Sequence, residues 1–254
     1  MVMIPRCKLP IVCALISFLL ASASLSALDF TCLCFQGTYK GLHFSKGENS
    51  DQLVTINDYS ISQKYSYNGP SPLLFYTLSQ NEEGETVRTP VSQFPFNQQY
   101  KKLLFIFYPN PAQEGTYQIY PIPSDDLAMP PGSYRVQNQT RKQVAMLMDE
   151  KTYQFQPGQF QVITPQAREA TTITVEVEEI DNDGAIEQQA EPKETTTLTR
   201  SAKVPVHLAY LKEDGQWETF FKRKWRYGKN FRTYVFIYNI NGVLQLRPFV
   251  EYVN

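Results

Sequence analysis

Short runs of apolar and aromatic residues, each closed by Pro, Gly or Asn, are the feature that most limits what this chain can fold into. Residues 103–108 (Leu-Leu-Phe-Ile-Phe-Tyr) form an unbroken apolar run that ends at Pro109, and residues 117–120 alternate after the turn at Gly115. The first run predicts a strand covered on both faces, and the second predicts its hairpin partner. Helical periodicity is nearly absent, whereas the 16 Tyr and 16 Phe residues suit a pleated, half-buried surface.

Further strands follow at close spacing. Residues 133–138, 143–148 and 159–163 are separated by turns and short polar stretches that leave no room for crossover helices, and Asn241-Gly242 adds a type I′ hairpin signal. Because short connections join antiparallel neighbours, we expect the sheets to be antiparallel. The predicted fold class is all-β: an antiparallel, Ig-like β-sandwich, built as one large unit or as two packed units.

One pattern occurs twice in the chain. Residues 232–238 followed by 244–248 resemble residues 102–108 followed by 117–121. Two interpretations stay open: duplicated halves, or chance similarity among aromatic-rich strands.

The first 27 residues have the arrangement of a cleavable export signal. Arg6 and Lys8 precede an apolar run at 11–20, and small residues with an A-x-A pattern follow. The run, at about ten residues, is too short to cross a bilayer as a helix, which needs about 20. We expect cleavage after Ala23 or Ala27, a secreted or periplasmic protein, and no transmembrane segment in the mature chain. An uncleaved anchor or a buried helix is the alternative interpretation of this segment.

We assign residues 28–165 to a first β-sandwich unit, and residues 166–254 to a second β unit or to the completion of the same sandwich. From Glu176 to Glu194 the chain has eight acidic residues, one Lys and no aromatic residue. Such a segment has too little apolar surface to offset the entropy of ordering, so 181–194 is predicted to be a solvated, mobile loop. It is either a long hairpin insertion or a linker between halves.

The charge balance of the mature chain is slightly acidic. Loss of Arg6 and Lys8 lowers the 24 Lys and Arg residues to 22, while the 25 Asp and Glu residues remain, which gives a net charge near −3. A general nucleic-acid binder needs a strongly basic field, so we expect no nucleic-acid partner.

One cluster departs from this balance, because residues 222–232 contain six basic side chains and no acid. Interleaved aromatic residues make a polyanion site one interpretation. Its candidate contacts are Lys222, Lys224, Arg226, Lys229 and Arg232. The other interpretation is a half-buried edge strand, which turns Phe221, Arg223, Trp225 and Tyr227 inward and leaves Lys222, Lys224 and Arg226 in water.

Residues that commonly carry chemistry are sparse. His43 and His207 are the only imidazoles, and neither lies in a nucleophile or zinc pattern. Cys32 and Cys34 would project from one face of a strand at the limit of disulfide reach. We interpret them as small apolar thiols, with a strained bridge or redox pair as the alternatives. Residues 181–184 (Asp-Asn-Asp-Gly) lack EF-hand spacing, so we interpret them as a turn, with opportunistic calcium binding as the alternative. No catalytic, cofactor or metal site is predicted.

Two segments resemble a known kind of module. Residues 131–136 (Pro-Gly-Ser-Tyr-Arg-Val) and 155–160 (Phe-Gln-Pro-Gly-Gln-Phe) are similar to turn-and-strand patterns in uncharacterised secreted bacterial β-sandwich modules. The resemblance implies the architecture alone.

The function predicted from the sequence is that of an exported, non-catalytic β-sandwich protein that binds a ligand or is a structural component of the envelope. Its partner would be an envelope or extracellular ligand, either a glycan or a protein. A carbohydrate-binding module is the first alternative and requires exposed aromatic residues along one flat sheet face. A carboxylate-dependent hydrolase and an assembly subunit with an exposed sheet edge are the others.

Overall fold

A computed structural model describes residues 27–35, 39–47, 50–96, 99–166 and 202–253, and the backbone of 171–176 and 195–200. The first eight strands are β1 (Leu28–Cys34), β2 (Tyr39–Gly47), β3 (Ser50–Ile56), β4 (Tyr65–Tyr67), β5 (Leu73–Gln80), β6 (Thr86–Phe94), β7 (Lys102–Pro109) and β8 (Tyr117–Pro123). The strands that follow are β9 (Tyr134–Asn138), β10 (Val144–Met148), β11 (Lys151–Phe155), β12 (Phe160–Ile163), β13 (Thr171–Glu176), β14 (Thr195–Arg200), β15 (Lys203–Leu211), β16 (Trp217–Arg226), β17 (Phe231–Ile240) and β18 (Val243–Tyr252). Within these residues no helix is long and apolar enough to cross a membrane.

Four four-stranded sheets pack in two pairs. Sheet A has the order β4-β1-β7-β8 and sheet B the order β3-β2-β5-β6. Sheet C has the order β12-β9-β17-β18 and sheet D the order β11-β10-β15-β16. Sheets A and B enclose one apolar core, and sheets C and D enclose another. The predicted all-β sandwich fold is confirmed, as two packed units: unit 1 (sheets A and B) and unit 2 (sheets C and D).

Unit 2 repeats the strand order of unit 1. Sheets A and B become sheets C and D when β1–β4 are replaced by β9–β12 and β5–β8 by β15–β18. The two stretches that resemble each other in sequence are β7–β8 and β17–β18, which are equivalent hairpins in this correspondence. The repeated topology favours duplicated halves over chance similarity.

Two strand pairs are parallel, contrary to the expectation from the sequence. β1 pairs with β7, beginning at Asp29 and Lys102, and β9 pairs with β17, beginning at Tyr134 and Thr233. In each unit the chain passes through the second sheet before it returns beside the first strand. Several strands therefore take the place of the usual crossover helix, and turn spacing cannot reveal such distant pairing.

The sheets change partners between Pro123 and Tyr134, where β8 ends and β9 begins. Strands β9–β12, which the sequence analysis grouped with the first unit, share sheets with β15–β18. The pattern of strand pairing therefore changes between residues 123 and 134. Local turn signals do not specify which distant strands share a sheet.

The inserted hairpin lies in unit 2. β13 and β14 pair antiparallel from Thr171 with Arg200 to Glu176 with Thr195, and they come between β12 and β15 in the chain. The acidic segment thus connects two paired strands, which agrees with the insertion interpretation and not with a linker between the units. The predicted loop 181–194 itself lies outside the described residues.

The β17–β18 hairpin has the predicted turn. Asn241 and Gly242 have φ values of 52° and 85°, the left-handed region that a type I′ turn requires at both central positions. The strands then pair from Ile240 with Val243 outward.

Sheets A and C pack face to face and join the units through a third apolar cluster. On β7, Phe105 faces the core of unit 1, whereas Leu104 and Ile106 face sheet C. Phe236 and Phe249 of sheet C belong to the same cluster as these two residues. The unbroken apolar run of β7 is therefore covered on both faces, as predicted.

Candidate binding site at the junction of the units

The basic cluster predicted from the sequence lies on β16, which is an edge strand of sheet D beside β15. Lys222, Lys224 and Arg226 are exposed, and so is Lys229 in the following loop. The guanidinium carbon of Arg226 lies 5.9 Å from the centroid of the Phe231 ring. Four of the five candidate residues are therefore at the surface.

Strand register adds one cation to this face. Lys203 of β15 is exposed and lies opposite Arg226, while the half-buried His207 lies opposite Lys222. Lys203 was not among the predicted contacts, because only the pairing of β15 with β16 brings it beside Arg226. We call Lys203, Lys222, Lys224 and Arg226 the basic face.

The inward side of β16 largely follows the edge-strand interpretation. Trp225 stacks on Tyr134 with 5.4 Å between ring centroids, and it contacts Phe221 at 6.0 Å. Tyr227 is buried in the core of unit 2. Arg223, which strict alternation assigns to the same side, stays exposed at the sheet edge. Packing of the strand thus accounts for the spacing of its aromatic residues.

Arg232, the fifth candidate, does not lie on the surface with the other four. Its side chain is fully buried. It donates one hydrogen bond to the Ser124 carbonyl at 2.6 Å and another to the Asp126 carboxylate. Its Nη1 lies 3.6 Å from Oε2 of Glu251. Alternation along β17 turns Arg232 toward sheet A, so its closeness to the basic cluster in sequence does not carry over to space.

Glu251 is the centre of this buried polar cluster between the units. Lys102 Nζ lies 2.7 Å from its Oε1, and the Tyr234 hydroxyl donates to its Oε2 at 3.0 Å. Lys102 and Arg232 hold equivalent positions in the two repeated hairpins. The two equivalent cations therefore lie beside the same carboxylate, that of Glu251. Removal of one partner of a buried ion pair costs about 3–5 kcal/mol, and the cluster therefore helps to fix how the units pack.

Among the described residues, the thiols and potential metal ligands are not grouped into a further site. Cys32 and Cys34 are buried in the core of unit 1, and no disulfide joins them. Burial raises the pKa of the Cys32 thiol far above its ordinary value, which suppresses the reactive thiolate. In the part of the chain that the structure describes, no three His, Cys, Asp or Glu side chains are grouped to hold a metal ion.

A second surface, absent from the predictions made from the sequence, lies where β8 of unit 1 meets β9 of unit 2, with β12 beside β9. Arg135 pairs with Val162 and Gln137 pairs with Phe160, so these four side chains share one face of sheet C. The hydroxyl of Tyr120 on β8 lies close enough to the Arg135 guanidinium to act on it electrostatically across the junction. We call these five residues the junction ledge.

The ledge has an apolar rim above a polar floor. Tyr120, Phe160 and Val162 are 40%, 49% and 37% exposed, whereas Arg135 and Gln137 are 5% and 8% exposed. The guanidinium carbon of Arg135 lies 3.4 Å from the centroid of the Phe160 ring, in a cation–π contact. A ring from each unit therefore borders the same buried guanidinium.

Two buried atoms of this floor have no hydrogen-bond partner among the described residues. They are the donor Nε of Arg135 and the acceptor Oε1 of Gln137. A buried polar atom without a partner costs about 1–3 kcal/mol, so the arrangement fits a surface that a polar ligand completes. Desolvation lowers the pKa of Arg135 to about 10, although the hydroxyls of Tyr120 and Tyr234 oppose the shift.

Other strongly exposed aromatic rings lie on separate elements. Tyr59 precedes β4, Trp217 begins β16 and Tyr252 ends β18. The described residues thus form no continuous aromatic strip on one sheet face, and the two rings of the ledge come closest to that feature.

The sequence contains only a faint signal of the ledge. Arg135 and Gln137 alternate with Tyr134 and Val136, which predicts that they point away from the core, but nothing local predicts that they are buried. No protein-family model matches the chain, and no curated protein is significantly similar to it.

Proposed function

We propose that the protein is an exported, non-catalytic binding protein that holds a saccharide against the junction ledge. The observation that carries the proposal is the combination of two exposed rings, Tyr120 and Phe160, with an unpaired buried donor and an unpaired buried acceptor. Ligand sites commonly lie at the boundary between two domains and combine aromatic walls with a few fixed polar groups.

A sugar matches both parts of the ledge. Its C–H faces pack on aromatic rings, and its hydroxyl groups both donate and accept hydrogen bonds. None of the five ledge side chains is a carboxylate, thiol or imidazole, which supports binding in preference to hydrolysis.

The test is binding of the full mature protein to a panel of soluble glycans and cell-envelope polysaccharides. Phe160→Ala should weaken the binding of a positive glycan about tenfold, because loss of one stacked ring removes about 1.4 kcal/mol. Trp217→Ala is the matched control, since this ring has similar exposure, 44%, and lies on β16 of sheet D. It should leave the affinity unchanged.

The absence of binding to every glycan, or equal losses in the two variants, would remove the saccharide proposal. A structural role in the envelope would then be the better hypothesis. Circular dichroism of both variants checks that they are folded before affinities are compared.

Export is a separate part of the proposal and rests on the signal pattern of residues 1–27, which lie outside the described residues except for Ala27. N-terminal sequencing of exported material should give a start at or just after residues 24–28. Material that retains Met1 would contradict the export assignment.

A further inference from the structure

Arg135 is a buried cation that takes part in none of the ion pairs among the described residues. Besides the Phe160 ring, the groups that act on it electrostatically are the hydroxyls of Tyr120 and Tyr234, and its Nε has no hydrogen-bond partner in the part of the chain that the structure describes. Buried charged side chains in proteins are normally paired with an opposite charge. Arg135 thus has the environment of a site that awaits an anion.

Arg232 gives the contrast within the same layer. It is fully buried between sheets A and C and its Nε likewise has no hydrogen-bond partner among the described residues, but Asp126 and Glu251 lie beside its guanidinium and the Ser124 carbonyl accepts a hydrogen bond from it. The fold therefore supplies carboxylates to one buried arginine of the junction and none to the other. Arg135, the arginine without a carboxylate, is the one that lies beneath the exposed side chains of the junction ledge.

We propose that the ligand of the junction ledge carries a carboxylate that pairs with Arg135, which identifies it as an acidic saccharide of the uronate class. This inference rests on the proposed function and specifies its ligand. The carboxylate accepts a hydrogen bond from Nε, a ring hydroxyl donates to Oε1 of Gln137, and the sugar ring lies against Phe160 and Tyr120.

Nε of Arg135 and Oε1 of Gln137 together limit which class of ligand can satisfy the site. A carboxylate or sulfate ion has acceptors alone, so it would satisfy Arg135 and leave Gln137 Oε1 without a donor. A neutral sugar would supply the donor and leave the buried guanidinium without a counter-charge. Phe160 belongs to the four-residue edge strand β12 and to none of the three apolar cores, so its ring can adjust to a ligand without disrupting a core.

The experiment is a calorimetric titration of the full mature protein with trigalacturonate, with the neutral galactose trisaccharide, and with a sulfated trisaccharide. The wild type should bind trigalacturonate about tenfold or more tighter than either of the others. Arg135→Gln should reduce the preference for the acidic sugar to about twofold or less while it still binds the neutral sugar. Lys224→Gln on the basic face is the matched control and should keep the full preference.

Equal affinity of the wild type for the acidic and neutral sugars would overturn the inference, and so would a preference that survives in Arg135→Gln or is lost in Lys224→Gln. Equal binding of the sulfated sugar would overturn the assignment to uronates. If neutral sugars bind and Phe160→Ala weakens them, the proposed function stands while this inference fails. If no sugar binds, both fail.

A second measurement tests the inference in the event that Arg135→Gln does not fold. In the wild-type protein, trigalacturonate should shift the side-chain amide resonances of Gln137, whereas the same concentration of free acetate should not. Unchanged Gln137 resonances at saturating trigalacturonate would contradict the proposed contact.

Discussion

The two tryptophans of the chain, Trp217 and Trp225, both lie on β16 and have opposite environments. Trp225 is partly buried and stacks on Tyr134, whose hydroxyl donates a hydrogen bond to the carbonyl of Arg226. Trp217 is 44% exposed at the start of the strand. Replacement of each tryptophan by Ala removes the same side chain, once from a packed position and once from an exposed one. The difference in stability between the two variants therefore reports the contribution of packing.

Trp225→Ala should lower the free energy of unfolding by about 3 kcal/mol, the lower end of the range for removal of a large aromatic side chain, because it opens a cavity beside Tyr134. Trp217→Ala should change the same quantity by about 0.5 kcal/mol or less. Urea unfolding followed by far-UV circular dichroism measures both. Similar losses in the two variants would mean that Trp225 does not pack against the core as described.

At the scale of the element, β16 combines an inward aromatic side with the outward basic face. Exposed lysines on an edge strand also discourage pairing with other chains, so the charge has a structural use that needs no ligand. The basic face is small and the whole molecule is slightly acidic, and Asp149 and Glu150 form the β10–β11 turn of the same sheet. We therefore expect weak attraction of polyanions.

Replacement of Lys222, Lys224 and Arg226 by Gln should change the free energy of unfolding by about 0.5 kcal/mol or less per residue, since these side chains are exposed. The wild type should leave a heparin column well below about 0.5 M salt, and the triple variant should leave only slightly earlier. Retention of the wild type at about 0.5 M salt that disappears in the variant would make the basic face the binding site.

Three lysines of unit 1 provide a matched control for the heparin experiment. Lys40, Lys46 and Lys101 are exposed lysines of the first unit, so their replacement by Gln lowers the net charge by the same amount. If the two triple variants elute at the same salt concentration, retention on heparin depends on the overall charge of the protein and not on the basic face.

At the scale of the whole molecule, the two units of repeated topology are joined by the apolar contact of sheets A and C and by the ion pairs of Glu251. Leu104 and Ile106 would be exposed on a separate unit 1, and Phe236 and Phe249 on a separate unit 2. The burial of these side chains makes the stability of each unit depend on the other.

We predict that the units unfold together. Both tryptophans lie in unit 2, so tryptophan fluorescence follows that unit, while far-UV circular dichroism follows the strands of both units. The two signals should give one urea transition with the same midpoint, because coincident probes indicate a cooperative transition. Two phases in circular dichroism, only one of them matched by fluorescence, would contradict this coupling.

Local sequence patterns were enough to predict the all-β class, the β7–β8 and β17–β18 hairpins, the Asn241-Gly242 turn and the edge character of β16. These features depend on alternation and turn chemistry, which act over a few residues. The tertiary structure alone decided the parallel pairs, the sheet partners of β9–β12, the burial of Arg232 and the junction ledge. Each of these depends on contacts between residues distant in the chain, such as Tyr120 with Arg135, and local physical chemistry does not specify which distant strands meet.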